Sequence, residues 1–243
     1  MKTLRRLMRL RTRVVCQLAA LCFALVASSF AADNAYLYIV HGIPGRDVAE
    51  NLNPAFPVDV LINGDTCIPR NLGFEDIAGP YSFSPGTYEV LVSESNTLAP
   101  CTNPPIIDSK VTLTAGASVS AVIALSSGSP ALLQFTDNLS IVAPRDARFV
   151  LSNAADSELL ATFTQEGVTS PKTFTVTAKP GAEGTVTVPA GTYLVEVTLD
   201  GTTTVVAAET FGVGSQSATF FYAVGQSANK SLRLIKRRVP DVL

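Results

Sequence analysis

His41 is the only histidine in the chain, and so the only side chain whose ordinary pKa suits general-base work near neutral pH. A nucleophilic triad also needs a Ser or Cys beside the base and a carboxylate to orient it. Nothing in the spacing singles out such partners. His41 is expected at a strand end, hydrogen-bonded in the turn before Pro44, with a ligand or metal role as the alternative. Glu75-Asp76 pairs two carboxylates that suit acid–base chemistry or calcium. No D-x-[DN]-x-[DN]-G loop accompanies them, and the plainer reading is solvated charge. Asp59 lies inside an alternating run, where it either faces solvent or caps a neighbouring turn. Phosphate-cradling glycine loops and H-E-x-x-H are absent from the sequence. The expectation is a non-catalytic protein with no cofactor and no metal. A hydrolase using loop carboxylates is the alternative.

The compartment follows from the first stretch and the cysteines. Residues 2–13 carry six basic side chains, residues 14–27 are apolar apart from Gln17, and Ser29-Phe30-Ala31 sets small residues at −3 and −1. This is the pattern of a secretory signal peptide cleaved between Ala31 and Ala32. The apolar run falls short of the about 20 residues that span a bilayer, which weighs against an uncleaved anchor. Cys16 and Cys22 would leave with the signal. Cys67 and Cys101 remain, an even number in an oxidising space, and are expected to form one disulfide. Two Cys without a nearby His fall short of a tetrahedral metal site.

Removing the six basic residues leaves 12 Lys and Arg against 20 Asp and Glu, a net charge of about −8. A polyanion needs a basic patch, so nucleic acid is excluded as a partner. An anionic membrane surface is disfavoured for the same reason. No later segment is long and apolar enough to span a membrane. The one basic cluster of the mature chain is Arg233, Lys236, Arg237 and Arg238, expected on a terminal strand whose charges discourage edge pairing; docking of an acidic partner is the alternative. Asn138-Leu139-Ser140 and Asn229-Lys230-Ser231 are glycosylation sequons.

From residue 35 onward, short alternating runs are separated by Gly, Pro, Asn and Asp, the pattern of antiparallel strands with one buried face. Strands are expected at residues 36–41, 57–62, 87–93, 110–114, 118–125 and 131–136. Val58, Val60 and Ile62 share a face, and Asn63-Gly64 makes a hairpin-type turn. Tyr88, Val90 and Val92 share another.

The strongest organising signal is an internal repeat. Gly86-Thr87-Tyr88-Glu89-Val90 returns as Gly191-Thr192-Tyr193-Leu194-Val195. In each copy the Gly is expected to turn the chain with positive φ, and the Tyr ring to bury with its hydroxyl at the rim. A second match aligns Gly116 with Gly214. The chain is therefore divided into a signal peptide (1–31) and two β-sandwich domains (32–140 and 145–243). About seven strands per 100 residues implies an all-β protein of two tandem immunoglobulin-like antiparallel sandwiches. The first copy carries extra sequence at residues 46–56 and 94–107. Such loops at a sandwich end are the expected contact surface, for another envelope or extracellular protein, with a glycan as the alternative.

The first copy resembles domain-of-unknown-function family 4397. Its V-H-G-I-P at residues 40–44, P-V-D-V-L-I-N-G at 57–64 and S-P-G-T-Y-E-V at 84–90 fit the family's V-H-x-x-P, V-D-V-x-x-x-G and P-A-G-T-Y-x-V elements. The resemblance covers about residues 35–137, and more loosely 147–239. In the second copy the His position falls near Ser152-Asn153, and V-D-V-x-x-x-G is not recognisable in 159–167. The resemblance implies an exported β-sandwich module and no activity.

Overall fold

The computed structural model describes residues 33–45, 55–228 and 230–240. The signal segment with its Ala31/Ala32 cleavage point, most of the 46–56 loop and Asn229 lie outside the described residues.

The chain is all β. Its first eight strands are β1 (Ala35–His41), β2 (Val58–Ile62), β3 (Thr66–Cys67), β4 (Ile77–Phe83), β5 (Gly86–Glu94), β6 (Pro105–Leu113), β7 (Ser118–Ser126) and β8 (Ser129–Thr136). The second eight are β9 (Asp146–Asn153), β10 (Leu159–Glu166), β11 (Thr173–Ala178), β12 (Glu183–Pro189), β13 (Gly191–Leu199), β14 (Val205–Val213), β15 (Ser217–Val224) and β16 (Arg233–Val239). Among the described residues no helix is long and apolar enough to cross a membrane.

Strand order repeats between the halves. The first pairs β3-β2-β5-β6 in one sheet and β4-β1-β7-β8 in the other; the second pairs β11-β10-β13-β14 and β12-β9-β15-β16. Each strand of the first half thus has a counterpart eight positions later. All pairings are antiparallel except β1 with β7 and β9 with β15, which run parallel.

The alternation seen in the sequence sets the cores. Val58, Val60 and Ile62 of β2 meet Val90 and Val92 of β5 in the first core, as their shared faces require. In the second, Leu159, Ala161 and Phe163 of β10 meet Tyr193, Val195 and Val197 of β13. Asn63 and Gly64 both have positive φ, at 50° and 76°, and turn β2 into β3. The glycines of the repeated motif behave otherwise. Neither Gly86 nor Gly191 has positive φ, so the expected reason for glycine there does not hold. Left-handed backbone appears instead at Gly116 (71°) and Gln216 (54°). These occupy equivalent turns before β7 and β15, two residues from the alignment that matching the glycines gives.

The expectation of one buried face per strand fails in the middle of the molecule. β7 is buried along all but its last residue, and β15 along its whole length. Their second faces form a third apolar layer. Val40, Val122, Ala124 and Phe135 of the first half pack there against Val150, Phe220, Tyr222, Val224 and Ile235 of the second. The protein is therefore four stacked sheets with three interlayers. Strands buried on both faces read as unbroken apolar runs rather than alternation. Gly42 sits at this seam, where a Cβ would overlap the Val224 side chain.

Candidate functional site

His41 is fully buried at the end of β1. Its Nε2 lies 2.7 Å from the Phe56 carbonyl, and the Ile43 amide donates to Nδ1 at 3.4 Å. Burial pushes its pKa below the ordinary value, against the raising effect of the Phe56 carbonyl and Asp76. The neutral ring with hydrogen on Nε2 satisfies both contacts. Its counterpart is Asn153, at the end of β9 and equally buried. There the Ala155 amide donates to Oδ1 at 2.9 Å, and Nδ2 donates to the Ser157 and Ala178 carbonyls at 2.8 Å each. Both side chains accept from the amide two residues on and donate to more distant backbone carbonyls. The equivalent position in the second half is thus filled by an amide that makes the same kinds of backbone contact.

Asp59 is buried within β2 and caps the loops beside it. Oδ1 accepts from the Asn71 amide (2.8 Å) and the Ser95 hydroxyl (3.0 Å); Oδ2 accepts from the Asn96 (3.1 Å) and Cys101 (3.0 Å) amides. Burial alone would raise its pKa, and these four donors more than offset that, holding the carboxyl below its ordinary range. Cys67 of β3 is disulfide-bonded to Cys101. The loop of residues 95–104 is thus tied at both a carboxylate and a covalent bridge. Within it, the Asn96 Oδ1 accepts from the Leu98 (3.2 Å) and Ala99 (3.1 Å) amides, and the Thr102 hydroxyl donates to the Ala99 carbonyl at 2.7 Å. The other half joins β13 to β14 through residues 200–204 alone, and cross-strand register sets Leu160 where Asp59 stands.

Glu75 and Asp76 take separate partners. Glu75 lies 3.9 Å from Arg233, and Asp76 Oδ2 accepts from the Gly73 amide at 3.0 Å. Among the described residues, no group of three or more His, Cys, Asp or Glu is placed to hold a metal.

The basic cluster divides by burial. β16 is a sheet edge on which Arg233, Lys236 and Arg238 are exposed, Arg233 as its first residue and Lys236 and Arg238 on the face opposite Arg237. Arg237 does not belong with them, because it turns into the central interlayer. Its Nη2 meets Asp137 at 2.5 Å, its Nε donates to the Tyr222 hydroxyl at 2.9 Å, and its guanidinium lies 3.8 Å over the Tyr38 ring. Ser120 and Ser118 of β7 donate to the two Asp137 oxygens at 2.8 and 2.6 Å. Burial pushes the Tyr222 hydroxyl up to about 12. Sequence clustering missed this network, although period-two alternation already set Arg237 on the face of Ile235 and Val239. The linker beside it is clamped. Arg148 Nη1 donates to the Asn138 carbonyl, the Asn138 side chain and the Ser140 carbonyl, at 3.0, 3.1 and 2.7 Å.

A cleft of about 140 Å³ opens between the β7–β8 turn and the loop after β9. Its one carboxylate, Asp156, is already bonded by the Ser227 amide and hydroxyl and the Ser157 hydroxyl. Ser126 and Ser127 line its other side.

A family model described as a domain of unknown function (DUF4397) matches residues 35–159, more than half of the chain. No curated protein matches the sequence. Similar solved structures include a proposed cell adhesion protein from Bacteroides uniformis, at 10% identity, with 86% of this chain and 99% of that one covered and a TM-score of 0.30. A proposed adhesin from Bacteroides ovatus is 11% identical over 88% of this chain and 97% of its own, with a TM-score of 0.27. The TIE protein of Bacillus anthracis is 9% identical over 80% of this chain and 34% of its own, with a TM-score of 0.26. Likeness at these scores carries no functional argument.

Proposed function

The chain belongs to the DUF4397 family of domains of unknown function, and from that premise we propose that it is an exported, non-catalytic binding module. Its contact surface is the pinned loop at residues 94–107, its compartment is extracytoplasmic, and its partner is another envelope or extracellular protein. The observation that carries this reading is the 95–104 loop. It is about twice the length of its counterpart, covalently bridged and internally hydrogen-bonded, although a short turn suffices to join the same two strands in the other half. The disulfide supports an oxidising compartment, as does the basic-then-apolar leader ending at Ala31. We divide the mature chain into copies at 32–140 and 145–243. The repeated strand order and the paired His41 and Asn153 contacts support taking the second as a divergent copy.

The test is intact mass on protein recovered by compartment from its own cell, with and without reductant. A mass beginning at Ala32, with two thiols appearing only after reduction, is expected. A full-length mass with free thiols in the cytoplasmic fraction would overturn export. A hydrolase screen in which wild type is active and His41→Asn is not would overturn the non-catalytic reading.

A further inference from the structure

Among the described residues each of the four sheets has two edge strands, and an edge presents unpaired amides and carbonyls unless something blunts it. Seven of the eight edges are blunted. β3 has only two residues, β4 and β8 carry Pro80 and Pro130, and β16 carries three exposed basic side chains. β11 and β12 cover each other, so closely that a Cβ on Gly184 would overlap the Thr177 carbonyl. β6 carries Pro105, Asp108 and Lys110, and Gln134 of β8 caps it. The Thr112 amide donates to Gln134 Oε1 at 3.0 Å, and Gln134 Nε2 donates to the Thr112 carbonyl at 2.9 Å.

β14 is the exception. Its nine residues contain no proline and one charge, Glu209. Thr112 spends both backbone groups on Gln134, so it turns them away from β5. Gly212 holds the same place in β14, since each pairs with the Thr of a G-T-Y-x-V strand. Alternate residues of a strand share this direction, so Ala208, Thr210 and Gly212 turn their amides and carbonyls outward. The counterpart of Gln134, by register through β7 and β15, is Lys236. It pairs instead with the Glu209 carboxylate and lies over the Phe211 ring. No side chain among the described residues caps the three outward positions. Glycine inside a strand weakens it and marks places where another backbone comes close. Gly212 has no positive φ, and a Cβ there would meet only the Thr192 hydroxyl, at 4.0 Å. Nothing among the described residues requires glycine at that position.

We propose that β14 is the contact of a homodimer, in which two copies join edge to edge, antiparallel, about a two-fold axis at Thr210. In this register Thr210 opposes Thr210 of the second copy. On either side Ala208 opposes Gly212 of the second copy, so small residues stand where the two backbones meet. Glu209 opposes Phe211 of the second copy. A register centred one residue earlier would set two carboxylates face to face, which is destabilising. The symmetric spacing of two small residues about Thr210 selects a second copy over an unrelated extended segment. This contact is independent of the pinned loop. A single strand pair buries less than a standard interface, so the association is weak and concentration-dependent. A two-fold contact closes at two copies.

The experiment follows the mass of the purified mature chain by sedimentation velocity, at rising concentration up to its solubility limit. Thr210 is exposed and its side chain bonds nothing among the described residues, so its substitutions leave the fold intact, which urea unfolding midpoints check. Wild type is expected to rise from one chain and level at two. Thr210→Lys and Thr210→Glu should each raise the dimer Kd by about 10-fold or more, because like charges then meet on the axis. An equal mixture of the two variants should dimerise again. Thr175→Lys, on the covered β11 edge, should dimerise as wild type does. A mass of one chain at every concentration would overturn the dimer, and a mass growing past two would overturn the two-fold contact. Thr210 variants that dimerise like wild type, or a mixture that stays monomeric, would overturn the pairing at Thr210.

Discussion

The two halves share one strand order and fill it differently. The first core is mainly aliphatic, and its loops are stapled by the Cys67–Cys101 bridge and the Asp59 carboxylate. The second has no bridge and instead gathers aromatic rings. Phe149 stacks on Phe163 at 4.3 Å, and Tyr193 and Phe211 meet Phe149 edge-on at 5.6 Å. The shared tyrosine shows the same contrast. Tyr88 and Tyr193 both donate to the carbonyl four residues earlier at 2.7 Å, yet Tyr88 is half-buried against Phe83 and Tyr193 is fully enclosed. The topology thus tolerates two routes to stability, and chemistry located in only one half is an addition to the frame. His41 and Asn153 are the sharpest case: where the frame needs a buried acceptor and donor, either side chain serves.

Phe149→Ala should destabilise the protein by about 3–5 kcal/mol through the cavity left among four aromatic neighbours, measured by urea unfolding. A loss below about 1 kcal/mol would break the claim that aromatic packing holds the second half. Cys67→Ser with Cys101→Ser should cost about 3–4 kcal/mol, as expected for the loop this bridge closes. Hydrogen exchange should localise the effect to the first half. His41→Ala should cost about 1–3 kcal/mol, because it strands the Phe56 carbonyl and the Ile43 amide. His41→Asn should cost less, since an amide supplies the same kinds of contact at Asn153. Tyr193→Phe should cost about 1 kcal/mol and Tyr88→Phe less, because water replaces the lost donor at the more exposed site.

The smallest effect is on pH dependence. The folded-state pKa of His41 lies below its unfolded value. Its neutral form is favoured in the fold, so its contribution is complete above about pH 6.5 and is lost as pH falls below that. His41→Asn should flatten this part of the stability–pH curve. An unchanged slope would assign it to other groups.

Much of the outer architecture was legible in alternation. Val58, Val60 and Ile62, the Asn63-Gly64 turn and the two G-T-Y-x-V strands stand where period-two patterning sets them. β4 was not legible, because Gly79-Pro80 interrupts it; proline is tolerated there because β4 is an edge strand. The central interlayer escaped for a different reason. The run from Val119 to Leu125 is apolar apart from Ser120, and an alternation argument asks which single face is buried. The same habit grouped Arg237 with its charged neighbours. For the candidate site, the length of the 94–107 segment and its cysteine were visible. The four donors around Asp59 were not, since three are backbone amides that no side-chain pattern announces.

The clamped linker has a mechanical consequence. With Arg148 fastening residues 138–140 and Gly42 letting the two inner sheets approach closely, the halves lack a hinge at their junction. Three interlayers of about 10 Å each set the outermost sheets roughly 30 Å apart. A pull applied to the 95–104 loop is then expected to meet packed sheets before any slack chain, which single-molecule stretching of the full chain checks.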